Sequence, residues 1–164
     1  MNSILQATAD LLKSRKFKPA FTEDGNTLIV TCNGEKLFWT TFVDTSDDDR
    51  IITLLSRVPA KVPTAKRAAC AKLLSGLNYG KRHGAFHLDF RDGEVLFCIS
   101  NVLNAGIAPE ETLDSLFGVT YSAMNNGAPQ ILKLIYGTGS APDSKPAGPS
   151  PFRDRNVTPP GLNN

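Results

Sequence analysis

The chain has 164 residues, 41% of them apolar and 21% charged, and its formal net charge is +2. These values predict one soluble globular domain without the clustered positive charge that a nucleic-acid-binding domain needs. The three separated cysteines, Cys32, Cys70 and Cys98, match neither a disulfide framework nor a zinc site, and the apolar runs fit neither a signal peptide nor a membrane span. We therefore predict a cytoplasmic protein with reduced thiols and no metal or cofactor.

The first half of the chain has the pattern of a helix followed by an antiparallel meander. Apolar residues at helical spacing predict a helix over residues 3–15. Three alternating segments follow, separated by Asp-Gly at 24–25 and Asn-Gly at 33–34, the dipeptides that favour tight hairpin turns. The β-branched, apolar run at 50–58 predicts a fourth strand.

The second half predicts two helices around a hairpin. Thr64 is placed to cap a second helix that ends at Asn78. Asp-Gly at 92–93 predicts the turn of a second hairpin. A third helix should begin at Pro109 and be kinked or restarted at Pro129.

The residues after Gly137 are rich in proline, glycine and serine and carry few aliphatic side chains. Such a segment cannot bury enough apolar surface to offset its ordering entropy. The sequence therefore predicts an α+β domain over residues 1–137 and a disordered tail over 138–164. In the domain, the meander and the second hairpin form an antiparallel sheet that packs with N-terminal, middle and C-terminal helices.

The second hairpin carries a candidate catalytic group. If residues 92 and 93 form a two-residue turn, His87 lies directly opposite Cys98, with Asp89 two residues along the same strand. A thiol, an imidazole and a carboxylate are the residue types of a thiol hydrolase. The pattern predicts no helix amino end or pocket that would stabilise a Cys98 thiolate, so a thiol enzyme is an alternative and not the leading hypothesis.

The segment from Asn78 to Gly84 contains a basic triplet between two glycines. Its glycine spacing and its helix-to-strand order differ from those of a phosphate-binding loop. We interpret Asn78, Gly80 and Gly84 as the joint between a helix and a strand. Lys81 and Arg82 then follow a helix carboxyl end, where positive charge is favoured.

A basic stripe on the second helix and its flanks gives a second alternative, the binding of nucleic acid or another anionic partner. Aromatic side chains do not interleave with this stripe, so the stacking platforms of a nucleic-acid site are missing. The aspartates at 44 and 47–49 lack the spacing of an EF-hand and predict a solvated loop. The candidate residues for an anionic partner are Lys66, Arg67, Lys72, Lys81 and Arg82.

Both faces of the first meander carry large apolar side chains. Helices can cover one face, and either a second subunit or further helices of the same chain must cover the other. Because buried aromatic residues carry much of the energy of an interface, four residues are expected to anchor a partner. They are Trp39, Phe38, Phe42 and Leu77.

Four stretches of the sequence carry a family resemblance. They are W-T-T-F-V-D from Trp39, R-V-P-A-K-V-P-T-A-K-R-A-A-C-A-K-L-L-S-G-L-N-Y-G from Arg57, G-A-F-H-L-D-F-R-D-G-E-V-L-F from Gly84, and L-K-L-I-Y-G up to Gly137. Over about residues 1–137 the chain resembles the YbjN family of bacterial sensory-transduction regulators. This resemblance implies an α+β fold similar to type III secretion chaperones, which often pair as dimers, and it implies no catalytic residues. The leading hypothesis is a non-enzymatic, chaperone-like or regulatory protein-binding module that acts as a homodimer.

Overall fold

The computed structural model describes residues 3–45, 51–103 and 109–137, which form three α-helices and six β-strands. The helices are α1 (Ser3–Ser14), α2 (Arg67–Asn78) and α3 (Pro109–Tyr136), and a 3-10 turn at Thr64–Lys66 precedes α2. The strands are β1 (Ala20–Phe21), β2 (Leu28–Asn33), β3 (Phe38–Thr45), β4 (Ile51–Arg57), β5 (Ala85–Leu88) and β6 (Val95–Val102). The predicted tail at 138–164 and the aspartates at 47–49 lie outside the described residues.

The strands form one antiparallel sheet in the order β1-β2-β3-β4-β6-β5. The predicted meander supplies β1 to β4, and the predicted second hairpin adds β6 beside β4, with β5 at the far edge. The α+β fold class is therefore confirmed. The fourth strand is confirmed as well, and its β-branched side chains suit a position between two neighbours inside the sheet.

The core lies between one face of this sheet and the three helices. Along each strand buried side chains alternate with more exposed ones, because successive residues point to opposite faces. The buried set forms one cluster with the helices; for example, the Trp39 ring lies edge-on against Tyr121 of α3 at 5.0 Å. In the part of the chain that the structure describes, all three helices pack on this face. Of the two alternatives for the second face, cover by the chain's own helices is therefore not met there.

Three local predictions need correction. The first alternating segment, at residues 17–22, forms only the two-residue strand β1, whose pairing with β2 ends at Ala20. Thr64 does not cap α2 through its side chain; its backbone oxygen instead accepts a hydrogen bond from the Arg67 N–H and closes the 3-10 turn. Pro129 does not restart α3, which continues as one helix through this residue.

The register of the second hairpin also differs from the prediction. His87 lies opposite Leu96, and Cys98 lies opposite Ala85, so the pairing is shifted by two residues. The turn is longer than two residues because the Asp89 N–H donates to the Glu94 oxygen at 2.9 Å. A shift of two keeps every side chain on its predicted face, since the side-chain period of a strand is two.

The joint between α2 and β5 is built as predicted and has an additional role. Gly80 and Gly84 have φ angles of 78° and 70°, a region that glycine adopts without steric cost. The Asn78 side chain donates from Nδ2 to the Phe86 oxygen at 2.9 Å and accepts from the Phe86 N–H at 2.8 Å. Asn78 therefore pairs with the outer edge of β5 in the way a neighbouring strand would.

Candidate functional site

The face of the sheet opposite the helices, here called the open face, carries an apolar row across all six strands. Each member of the row lies opposite the next in the register of the sheet. Five members are half-buried and the sixth is exposed, although no described helix covers them. The apolar row consists of Ala20, Ile29, Phe42, Leu55, Cys98 and Ala85.

The positive charge of Arg57, next to the apolar row, is neutralised by a carboxylate of the same chain. The Arg57 guanidinium lies over the Phe42 ring, 4.8 Å from its centroid. Its Nε is 2.6 Å from a carboxylate oxygen of Glu94. Stacking on a ring and pairing with a carboxylate both hold the long side chain flat against the sheet. The centre of the open face therefore presents apolar surface and a paired cation.

The four predicted anchors lie in different surroundings. Phe38 is 71% exposed at the start of β3, and Phe42 belongs to the apolar row. Trp39 is 2% exposed and faces the helices, so a partner cannot reach it while the core is closed. Leu77 is half-buried on α2, where its side chain lies near Gly127 of α3. The anchor prediction therefore narrows to Phe38 and Phe42.

Most of the apolar row was not predicted from the sequence. Ile29 and Phe42 alternate onto the same face of the predicted meander, but Leu55 and Cys98 were not connected to them. The alternation along β4 indicates that Leu55 faces away from the core, yet only the order β3-β4-β6 places Leu55 between Phe42 and Cys98. The crossover from β4 to β6 leaves no short-range signal in the sequence.

The predicted group of Cys98, His87 and Asp89 does not form a catalytic arrangement. His87 and Cys98 share the open face but are not opposite each other. Burial raises the pKa of the Cys98 thiol, which is the reverse of what a nucleophile needs. Hydrogen bonds from Arg91 lower the pKa of Asp89 to about 2, and the Arg91 guanidinium is 2.7 Å from this carboxylate. Asp89 is thus engaged by Arg91 and does not orient His87.

Two of the predicted anion-binding residues hold the fold together. Lys66 Nζ donates to three backbone oxygens at the carboxyl end of α3, at 2.8 to 3.0 Å. Arg67 donates to the oxygens of Val62 and Phe90. The acceptors of Lys66 lie about 70 residues further along the chain, so no local pattern could reveal this contact.

The basic triplet lies beside a groove that no sequence pattern predicted. Lys81, Arg82 and His83 line one side of a space of about 380 Å³, and small residues of α3 such as Gly118 and Ser122 line the other. Lys72 is exposed on α2. The prediction of an anionic partner therefore rests on the exposed side chains of Lys72 and Lys81.

The described residues give no support for a metal site, a disulfide or a membrane-spanning helix. No group of three His, Cys, Asp or Glu side chains is placed there to hold a metal ion. The three cysteines are unpaired. No helix among the described residues is long and apolar enough to cross a bilayer.

Known proteins resemble this chain in sequence and in fold. The family model described as "YbjN: Putative bacterial sensory transduction regulator" matches residues 8–132. The crystal structure of "YbjN, a putative transcription regulator from E. coli" has a TM-score of 0.58 at 18% identity, over 76% of this chain and 87% of that one. At this identity the structural likeness concerns the fold alone. No curated protein matches the chain.

Proposed function

Because the chain belongs to the YbjN family, we propose that it is a non-enzymatic regulatory protein that acts as a homodimer. Two copies contact each other through the open face, with Phe42 and Leu55 at the centre and Phe38 at the margin. The observation that carries this proposal is the apolar row, which crosses the whole sheet without a described layer over it. Contiguous apolar surface of this kind marks interaction sites on soluble proteins.

The chemistry of the open face suits a second copy of the same chain. In a twofold interface each patch meets its own copy, so an unpaired charge at the centre would face a like charge. Arg57 avoids this repulsion because Glu94 pairs with it. Neighbouring strands lie about 4.8 Å apart, so the apolar row is about 24 Å long, a length that gives two copies an extended contact.

Light scattering of the full-length chain over a dilution series tests the proposal. We expect twice the single-chain mass of 17.7 kDa at high concentration. Phe42→Asp should weaken association by about 100-fold or more, because a twofold interface loses the buried ring twice and each ring contributes about 1.5–3 kcal/mol.

Tyr79→Asp is the matched control, since Tyr79 is an exposed aromatic residue outside the sheet and should leave the mass unchanged. Circular dichroism checks that both variants are folded. A full-length chain that is monomeric at every concentration would contradict the homodimer. An equal effect of the two variants would show that the open face is not the contact.

A further inference from the structure

The outer edge of β2 has no described neighbour beyond the end of β1. The β1 strand pairs with β2 only at Leu28 and Ile29. In the same register the next bonded pair would join Lys18 to Thr31, and this pair is not formed. Thr31 and Asn33, which follow Ile29 on the same face of β2, are both exposed.

The hydrogen bonds of the neighbouring turn fix the direction of the backbone groups on this edge. The Gly34 N–H donates to the Leu37 oxygen, so these two residues form a bonded pair between β2 and β3. Bonded and non-bonded pairs alternate along an antiparallel ladder. The backbone groups of Cys32 therefore face β3, and those of Thr31 and Asn33 face the outer edge.

A cavity runs along this edge. Its volume is about 520 Å³, and its walls are Thr31, Asn33, Tyr121 and residues 15–18. This volume lies in the range of ligand-binding cavities. The Asn33 N–H is directed at the Tyr121 phenol, which leaves Thr31 with its N–H and its C=O both open to the cavity.

The wall of the cavity is positively charged. Lys16 and Lys18 are exposed, and neither side chain forms an ion pair with another described residue. Arg15, in contrast, is paired with Asp114 and Glu110 of α3. Two lysines beside open backbone groups favour an extended segment that carries acidic side chains.

Lys16 occupies a backbone conformation that suits glycine better. Its φ is 68°, and among the described residues it is the only one other than glycine with a positive φ. The Phe17 N–H donates to the Leu12 oxygen and the Lys16 N–H to the Lys13 oxygen, which is the Schellman pattern at a helix end. Lys16 therefore has a backbone conformation that favours glycine, and its side chain borders the cavity.

The same charges argue against a second copy of the chain on this edge. Two β2 edges paired with each other would bring the lysines of both copies to one interface, and like charges facing each other weaken association. An acidic strand from another protein meets no such repulsion.

From this geometry we propose that the outer edge of β2 binds an acidic, extended segment of a partner protein as an added strand. The Thr31 N–H and C=O pair with its backbone, and Lys16 and Lys18 contact its carboxylates. This inference rests on the proposed protein-binding function and names the class of partner. It uses the backbone edge of β2, which adjoins the open face because the Thr31 side chain lies beside Phe38 and Thr40 there.

A phage-displayed library of linear 12-residue peptides, panned against the full-length protein, tests this inference. The enriched peptides should carry Asp or Glu at alternate positions. They are then synthesised with fluorescein, and binding is measured by fluorescence anisotropy. Thr31→Pro removes the outward N–H and should weaken binding about tenfold or more, whereas Thr31→Val keeps this donor and should change binding less than about twofold.

Lys16→Gly separates loss of the site from loss of folding. Glycine relaxes the backbone at this position, so the melting temperature should rise while peptide binding weakens. Higher salt should weaken binding to the wild type more than to Lys16→Gly, because one screened charge pair is missing from the variant.

Three outcomes would overturn the inference. They are a failure to enrich any peptide, enrichment of peptides without acidic residues, and equal binding by Thr31→Pro and Thr31→Val. Light scattering distinguishes this failure from failure of the homodimer, since Thr31→Pro and Thr31→Val should both keep the wild-type mass. A fall to the monomer mass in Thr31→Pro but not in Thr31→Val would show that the edge joins two copies, and would also overturn the inference.

Discussion

Asn78 ends a helix and completes a strand edge with one side chain. Replacing it by Ala leaves the N–H and C=O of Phe86 without these two partners. We expect the free energy of unfolding in urea to fall by about 1–3 kcal/mol, because half-buried backbone groups lose their hydrogen bonds. Asn126→Ala is the control: Asn126 is exposed on α3, and its amide donates to Ser122 one turn earlier. Equal losses in the two variants would contradict the role of Asn78.

The raised pKa of the Cys98 thiol predicts how its rate of alkylation depends on pH. Because burial holds the thiol pKa above its ordinary value of 9.0, the thiolate is a minor form at neutral pH. The rate of alkylation of Cys98 by iodoacetamide should rise about tenfold for each pH unit between about pH 6 and 8, without a plateau. His87→Ala should leave this profile unchanged. A plateau below pH 8 that disappears in His87→Ala would restore the thiol-enzyme alternative.

Single residues were predicted from the sequence as far as their role is local. Asn78, Gly80 and Gly84 were recognised as the joint between a helix and a strand, because the residue types of a turn depend on the local backbone conformation. The contact of Asn78 with Phe86 depends on where β5 returns beside α2. Lys66 and Arg67 were assigned to a surface stripe, since their backbone acceptors come from distant segments.

Within α3, two glycines provide a matched pair for a test of helix packing. A Cβ added at Gly118 would meet nothing within 4 Å, whereas one added at Gly127 would lie 2.5 Å from the Phe86 ring. Gly118→Ala should therefore stabilise the fold by about 0.5–1 kcal/mol through helix propensity. Gly127→Ala should destabilise it by about 1–3 kcal/mol, because overpacking exceeds the same gain. Stabilisation by both changes in urea titrations would contradict the close contact between α3 and β5.

Elements defined by periodicity were predicted well, and their connections were predicted less well. The helix over 3–15 and the strand over 50–58 carry long apolar patterns, and both agree with the structure within about one residue. The second hairpin kept its faces but not its register, because Asp-Gly at 92–93 suggested a shorter turn than the hydrogen bond from Asp89 to Glu94 allows. The strand β1 has only two residues, where alternation alone suggested a longer strand.

At the scale of the whole molecule, the sequence indicated two apolar sheet faces without showing how they are used. Trp39 and Phe42 alternate along one strand, and the structure places Trp39 under the helices and Phe42 on the open face. The packing of all described helices on one side could not be read from the pattern, since each amphipathic helix fits either face. The continuity of the apolar row required the strand order, which is a property of the complete sheet.

The closure of one sheet edge by Asn78 bears on polymerisation. A sheet with two unpaired edges can accept a neighbour on each side, and identical chains can then add without limit into a fibre. In this protein the amide of Asn78 occupies the backbone groups of Phe86. A strand added along β5 would find these two groups already bonded, which disfavours growth of a fibre from this edge. A single side chain thus favours a finite complex over edge-to-edge assembly through β5.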